Sequence, residues 1–360
     1  MSFRKSGSDG SRRSITMSET VLISGEKPQY KANLHCHTTV SDGRNTPEEM
    51  KEYYKARGYQ IMAMTDHELL VDHTDLNDAD FLCINGYEYA FAEGGVTGLT
   101  DLSKYRKART MEFNLYAKDP GNTMQVCFNP EWVIHGEMWR IPDVKAYERG
   151  LPRDYTAECM QKLIDKAAEH GFLVNLNHPN YSYESPEFFG DFRGLMSMEI
   201  INQGCYYKYG EYNGQMYDSM LKRGQRIGIL ASDDNHRAII DGDEADPRPW
   251  GCTMIQPESF TYEGVIGALE KGNYYASQAP VIESLVISDG KVKIRSKNAK
   301  YFVMLTEYRS PKALAAPLHE TLSEAVFDIP DEERYLRFEV FDAYGRRAAT
   351  RAYFRDEWNY

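Results

Sequence analysis

His35 and His37 stand one residue apart in KANLHCHTTVSDG (residues 31–43), and Asp42 follows in the same stretch. On an extended segment, residues two apart point the same way, so both rings can reach one ion. About 0.2 such pairs are expected by chance in this composition, so the pair alone leaves open two unrelated histidines, one packed inward. The pattern recurs, however. MAMTDHE ends an apolar run on His67, next to Asp66. INGYEYA sets Glu88 among apolar and aromatic residues, where a buried carboxylate is costly unless paired or coordinated. The alternative there is an outward-facing Glu on a half-exposed strand. FLVNLNHPN places His178 just past a further run, and GILASDDNH adds Asp234 and His236, two apart. Position carries the weight: five of the nine histidines follow apolar strand candidates directly, each with a carboxylate near in sequence. Mixed imidazole and carboxylate donors suit Zn²⁺, Mn²⁺ or Fe²⁺, whereas Ca²⁺ or Mg²⁺ call for mostly oxygen. Five imidazoles with Asp42, Glu88 and Asp234 supply enough ligands for two or three divalent ions.

The elements that must gather these residues alternate. Strands are predicted at 30–35, 60–65, 81–91, 113–117, 172–176, 196–201 and 226–231. Helices are predicted at 46–58, with Thr46 as N-cap and Pro47 at the first position, and at 155–170, 213–223 and 261–271. Such a series predicts parallel strands wrapped by helices, an α/β barrel or open sheet, whose functional loops follow the C-terminal strand ends. Residues 118–154, with several prolines and two tryptophans, read as an excursion. From residue 281 the texture changes to an antiparallel β module, opening with a hairpin that turns at Asp289-Gly290. The expected division is a flexible polar tail (1–29), a body (30–280) and the module (281–360).

Composition sets bounds. A net charge of −12 argues against an extended nucleic-acid surface or a grip on anionic membranes, but not against a small phosphorylated ligand in a locally positive pocket. No apolar run of spanning length occurs. Six scattered cysteines without a CxxC pair suit reduced thiols in a cytoplasmic setting. The remaining histidines, His73, His135, His170 and His319, read as surface or packing residues. Cys36, between the two ligand candidates, should face the core.

Taken in order, NLHCHTTVSDG, MTDHE, GYEYA, NHP and SDDNH resemble the motifs of the PHP (polymerase and histidinol phosphatase) family over roughly residues 30–280. The β tail resembles the module appended in one branch of it. The resemblance implies a distorted (β/α)7 barrel with a di- or trinuclear metal centre. His35, His37, Glu88 and Asp234 would hold one ion, Glu88 would bridge to a second with His178, and Asp42, His67 and His236 would hold a third. The family usually has a histidine where this chain has Glu112, which either ligates as a carboxylate or leaves the second ion weak or absent.

Such a centre implies a phosphoesterase that uses metal-activated water on a small phosphorylated substrate, with no covalent protein nucleophile. Arg106, Arg109, Arg248 and Asn202 are the candidate substrate-gripping residues, the first two within a basic loop whose alternative reading is a solvated charged loop. Two other readings stay open: a hydrolase of carbamate, amide or other ester bonds on the same centre, and a non-catalytic, metal-stabilised binding protein.

Overall fold

The fold is known from a computed structural model and is described for residues 19–97, 103–104, 107–205, 212–237 and 251–358. In chain order it runs β1 (Thr20–Ile23), β2 (Tyr30–Asn33), α1 (Pro47–Lys55), β3 (Ile61–Met64), β4 (Leu82–Ala92), β5 (Thr110–Ala117), α2 (Ala157–Glu169) and β6 (Phe172–Leu176). A short α3 (Pro186–Phe189), β7 (Ser197–Asn202), α4 (Gly214–Lys222), β8 (Gly228–Ser232), β9 (Cys252–Ile255), α5 (Tyr262–Lys271) and β10 (Tyr274–Ser277) complete the body. The module adds β11 (Ser284–Ser288), β12 (Lys291–Ala299), β13 (Tyr301–Thr306), β14 (Lys312–Ala315), β15 (Leu322–Asp328), β16 (Tyr335–Phe341), β17 (Arg347–Thr350) and β18 (Tyr353–Phe354).

Local chemistry explains the boundaries. α1 starts at a capping box in which Thr46 and Glu49 satisfy each other's backbone N–H, with Pro47 supplying a preset φ. Thr156 and Thr261 cap α2 and α5, and Gly272, at φ 71, ends α5 in the left-handed region. Every residue of β4 and β5 is buried, so these strands are covered on both faces. β12 instead alternates exposed and buried residues over most of its length, as a strand with one wet face must.

Within the body, β2, β3 and β4 pair in parallel, as do β6, β7 and β8. β5 joins the two groups but runs antiparallel to both β4 and β6, Glu88 facing Asn114 and Asn114 facing Asn175. The expectation of uniformly parallel strands is corrected here. β5 follows β4 as its immediate neighbour in the sheet, and an antiparallel neighbour needs no crossover helix. The two ends of this run meet: Asp234 N donates to His35 O and His37 N to Asn235 O, both at 3.0 Å, around a parallel bridge between Cys36 and Asn235. The architecture is mixed α/β, rich in sheet. No helix among the described residues is long and apolar enough to cross a membrane.

Two expected boundaries also shift. Residues 20–23, assigned to the tail, form β1, which pairs antiparallel with β11 and adds Ile23 to a core of Leu285, Val292, Phe302, Phe327 and Phe338. Body and module share one sheet, since β9 pairs with β10 and β10 with β17. The hairpin turn is as expected, with Asp289 at φ 49 and Gly290 at φ 74, the geometry of a two-residue turn whose two central φ values are positive.

Candidate metal centre

Every loop that the motifs singled out opens at the same end of the strand run. His35 and His37 leave β2 as extended backbone, so their rings point together. Cys36 turns the other way, its thiol directed at Ala63 O among Met50, Tyr54 and Met62. Asp42 follows in a loop fastened by Asp66, whose carboxylate accepts from the backbone N–H of Thr38 (2.7 Å) and Ser41 (3.1 Å) and from both hydroxyls. His67 follows β3 and forms a bridge with Glu88 of β4. His178 follows β6, and Asp234 and His236 follow β8. Asp234 sits at φ 51, a conformation that costs a non-glycine residue about 1–3 kcal/mol and persists only where its surroundings enforce it.

The side chains converge. His37 Nε2 lies 3.3 Å from His35 Nε2, 3.4 Å from Glu88 Oε2 and 3.1 Å from Asp234 Oδ1. His178 Nε2 is 3.4 Å from both Glu88 Oε1 and Glu112 Oε2. Asp42 Oδ2 is 3.4 Å from His236 Nε2 and 3.8 Å from His67 Nε2. Four overlapping groups have all their donor atoms within 4.8 Å of one another: His37, Asp42, His67 and His236; His35, His178 and Asp234; His35, His37 and Glu88; Glu88, Glu112 and His178. All nine residues named as ligand candidates, Glu112 included, enter at least one group.

The electrostatics fit a cation. Burial opposes ionisation throughout, yet the imidazoles hold Glu88 and Asp234 well below the usual carboxylate range and lower Asp42 also. In return, against burial, the carboxylates raise His35 and His67 and bring His178 and His236 up to about 9. Glu112 is pushed up to about 7, first by burial and then by the Glu88 charge beside it. His37 goes the other way, held down by burial and by the neighbouring His236 and His67, so the cluster's charges are only partly balanced among themselves. A divalent cation would complete the balance, and metal binding of this kind is coupled to proton release.

Behind the donors stands Glu199, which the motifs did not single out. Its Oε1 accepts from His35 Nδ1 at 2.8 Å and from the Ser232 hydroxyl; its Oε2 accepts from His178 N and Asn202 Nδ2, both at 2.8 Å. A carboxylate on Nδ1 fixes the tautomer that leaves the His35 Nε2 lone pair facing the cluster. The signal was available: Glu199 interrupts the apolar run MSMEII as Glu88 interrupts INGYEYA. Glu199→Gln is expected to weaken metal affinity about 10–100-fold while the fold stays intact. Metal competition titrations on variant and wild type check this.

The centre opens into a cavity of about 440 Å³ lined by Asp42, His67, Glu88, Glu112, His178, Asp234 and His236, together with Trp132, His135 and Tyr181. His135, expected to be a surface or packing residue, therefore faces the site. The substrate-gripping candidates fare differently. Arg109 is not a lining residue; its guanidinium is held by Glu93 at 2.7 Å and Glu184 at 2.6 Å. Asn202 is buried and does not line the cavity; its amide reaches Glu199 and Asp234, and its oxygen accepts from Cys205 N. Arg106 and Arg248 lie outside the described residues. His170 pairs with Glu148 at 3.0 Å and stacks on Tyr147, as a surface residue would.

No family model matches the chain, and no curated protein matches it. Solved structures do. The chain is similar to PHP-like metal-dependent phosphoesterases. A two-domain protein containing a predicted PHP-like metal-dependent phosphoesterase from Bacteroides vulgatus matches at 14% identity and TM-score 0.45, over 92% of this chain and 96% of that one. A candidate metal-dependent phosphoesterase from Bifidobacterium adolescentis matches at 14% identity and TM-score 0.37, over 61% of this chain and 93% of that one. An amidohydrolase from Chromobacterium violaceum with bound sulfate and no metal matches at 15% identity and TM-score 0.38, over 57% of this chain and 87% of that one.

Proposed function

We propose that the chain is a metal-dependent hydrolase of phosphoric esters, acting on a small phosphorylated substrate. The supporting observation is the convergence of nine imidazole and carboxylate side chains, drawn from six separate segments, seven of them lining one cavity. The seven strands β2–β8, whose ends meet around Cys36 and Asn235, are read as a distorted (β/α)7 barrel with this cavity at its mouth. His35, His37, Glu88 and Asp234 would hold one ion; Glu88, Glu112 and His178 a second; Asp42, His67 and His236 a third. The mixed donor set suits Mn²⁺, Zn²⁺ or Fe²⁺. When bound, such ions supply water acidified towards neutral pH and neutralise charge on phosphoryl oxygens. The residues themselves fix donor positions: Glu199 orients His35, Asn177 donates to Glu88 Oε1 at 2.7 Å, and Asp66 holds the Asp42 loop. The six cysteines are free thiols, which suits the cytoplasmic location we propose.

A second reading has one observation in its favour. No Lys or Arg lines the cavity among the described residues, which suits a neutral ester, amide or carbamate as well as a phosphate. One experiment separates the two. Protein purified without chelator or nickel is expected to carry two or three divalent ions and to hydrolyse 4-nitrophenyl phosphate, an activity lost with chelator and restored by Mn²⁺. Turnover of aryl carbamates without phosphates would establish the second reading instead. Glu112→Ala is expected to reduce the ion count by one, read by elemental analysis; an unchanged count removes Glu112 from the ligand set.

A further inference from the structure

His135 is the cavity residue whose chemistry the metal centre leaves unused. Among the described imidazoles lining the cavity, it alone belongs to none of the four tight donor groups. It is exposed, so it can exchange protons with solvent.

The segment that carries His135 is pinned on both sides. On one side, the Arg153 guanidinium lies between the Tyr89 ring at 3.7 Å and the Trp132 ring at 4.3 Å, and donates to Glu68 and to Ala90 O. Val133 packs with Val40 and Leu69. On the other side, Gly136 lies against the Asp42 loop so closely that a Cβ there would come within 2.2 Å of Ser41 O, and Glu137 N donates to Val40 O at 2.9 Å. The loop that presents Asp42 and the loop that presents His135 are therefore one packed unit. An exposed imidazole held at a set position over a cluster of metal-type donors is arranged to meet the part of a substrate that projects away from that cluster.

Resting on the phosphoesterase reading, we propose that His135 protonates the leaving oxygen. Water that has lost one proton to solvent bonds to phosphorus through its oxygen. The ester P–O bond breaks, the departing oxygen takes the imidazolium proton of His135, and solvent returns a proton to the ring.

General acid assistance matters most where the leaving oxygen is a poor anion. The test is His135→Gln in the full-length, zinc-loaded chain, assayed on an alkyl phosphate and on 4-nitrophenyl phosphate. The expected result is a kcat/KM loss about 10²-fold greater for the alkyl ester, within the range of a general acid, with zinc content equal to wild type. In ¹⁵N-histidine-labelled wild type, the side-chain signal missing from the variant is expected to shift when inorganic phosphate is added. Equal losses on the two esters, no loss on either, a fall in zinc content, or an unshifted signal would overturn the role of His135. Wild type that carries zinc yet hydrolyses neither ester would overturn the underlying reading, and with it this one.

Discussion

His37→Ala is expected to strip metal from the protein and to reduce kcat/KM by more than about 10³-fold. The His37 ring faces four other candidate ligands: Nε2 lies within 3.4 Å of His35, Glu88 and Asp234, and Nδ1 lies 3.4 Å from Asp42. Removing it takes a donor from two of the four groups at once. A bound ion contributes several kcal/mol of charge stabilisation to hydrolysis, and each 1.36 kcal/mol is tenfold in rate. The fold should survive, since the backbone bond from His37 N to Asn235 O does not depend on the side chain. Elemental analysis, turnover and circular dichroism on the same preparation check all three parts. Wild-type metal content and activity in the variant would remove the proposed centre.

The second large effect is on stability. Arg153 and Glu68 form a bidentate ion pair at 2.6 and 2.7 Å, with side chains only 2% and 3% exposed. Truncating one partner of such a pair leaves the other charge buried and uncompensated, at about 3–5 kcal/mol. Arg153→Met is therefore expected to lower the urea midpoint by an amount equivalent to that loss. The double variant Arg153→Met, Glu68→Leu is expected to recover much of it, because neither charge then remains. If the double variant is as unstable as the single one, the loss comes from the Tyr89–Arg153–Trp132 stack rather than from the stranded carboxylate.

Much of the candidate site was legible because its chemistry is local. Most of the candidate-ligand motifs pair an apolar strand with a histidine or carboxylate just past its end, Glu88 lying within β4 instead, and those strands formed close to where the periodicity put them. What was not legible depends on distant partners. β5 reads as one more strand of a parallel series, and only its pairing with β4 and β6 shows the reversal. Arg109 carries the charge of a phosphate grip, but Glu184, 75 positions away, occupies it. His135 sits in an irregular stretch without periodicity, and only the fold, with Gly136 packed on Ser41, places it on the cavity wall. Residues 20–23 are too few and too polar in context to announce a strand; their partner lies more than 260 positions on.

That last pairing means that no single cut divides this polypeptide into two self-sufficient pieces. A fragment starting at residue 30 would leave β11 with a bare edge, and a fragment ending at residue 280 would deprive β10 of β17. Exposed edges of this kind recruit other chains. Excising the appendage to study the body alone would therefore replace one question about function with another about aggregation.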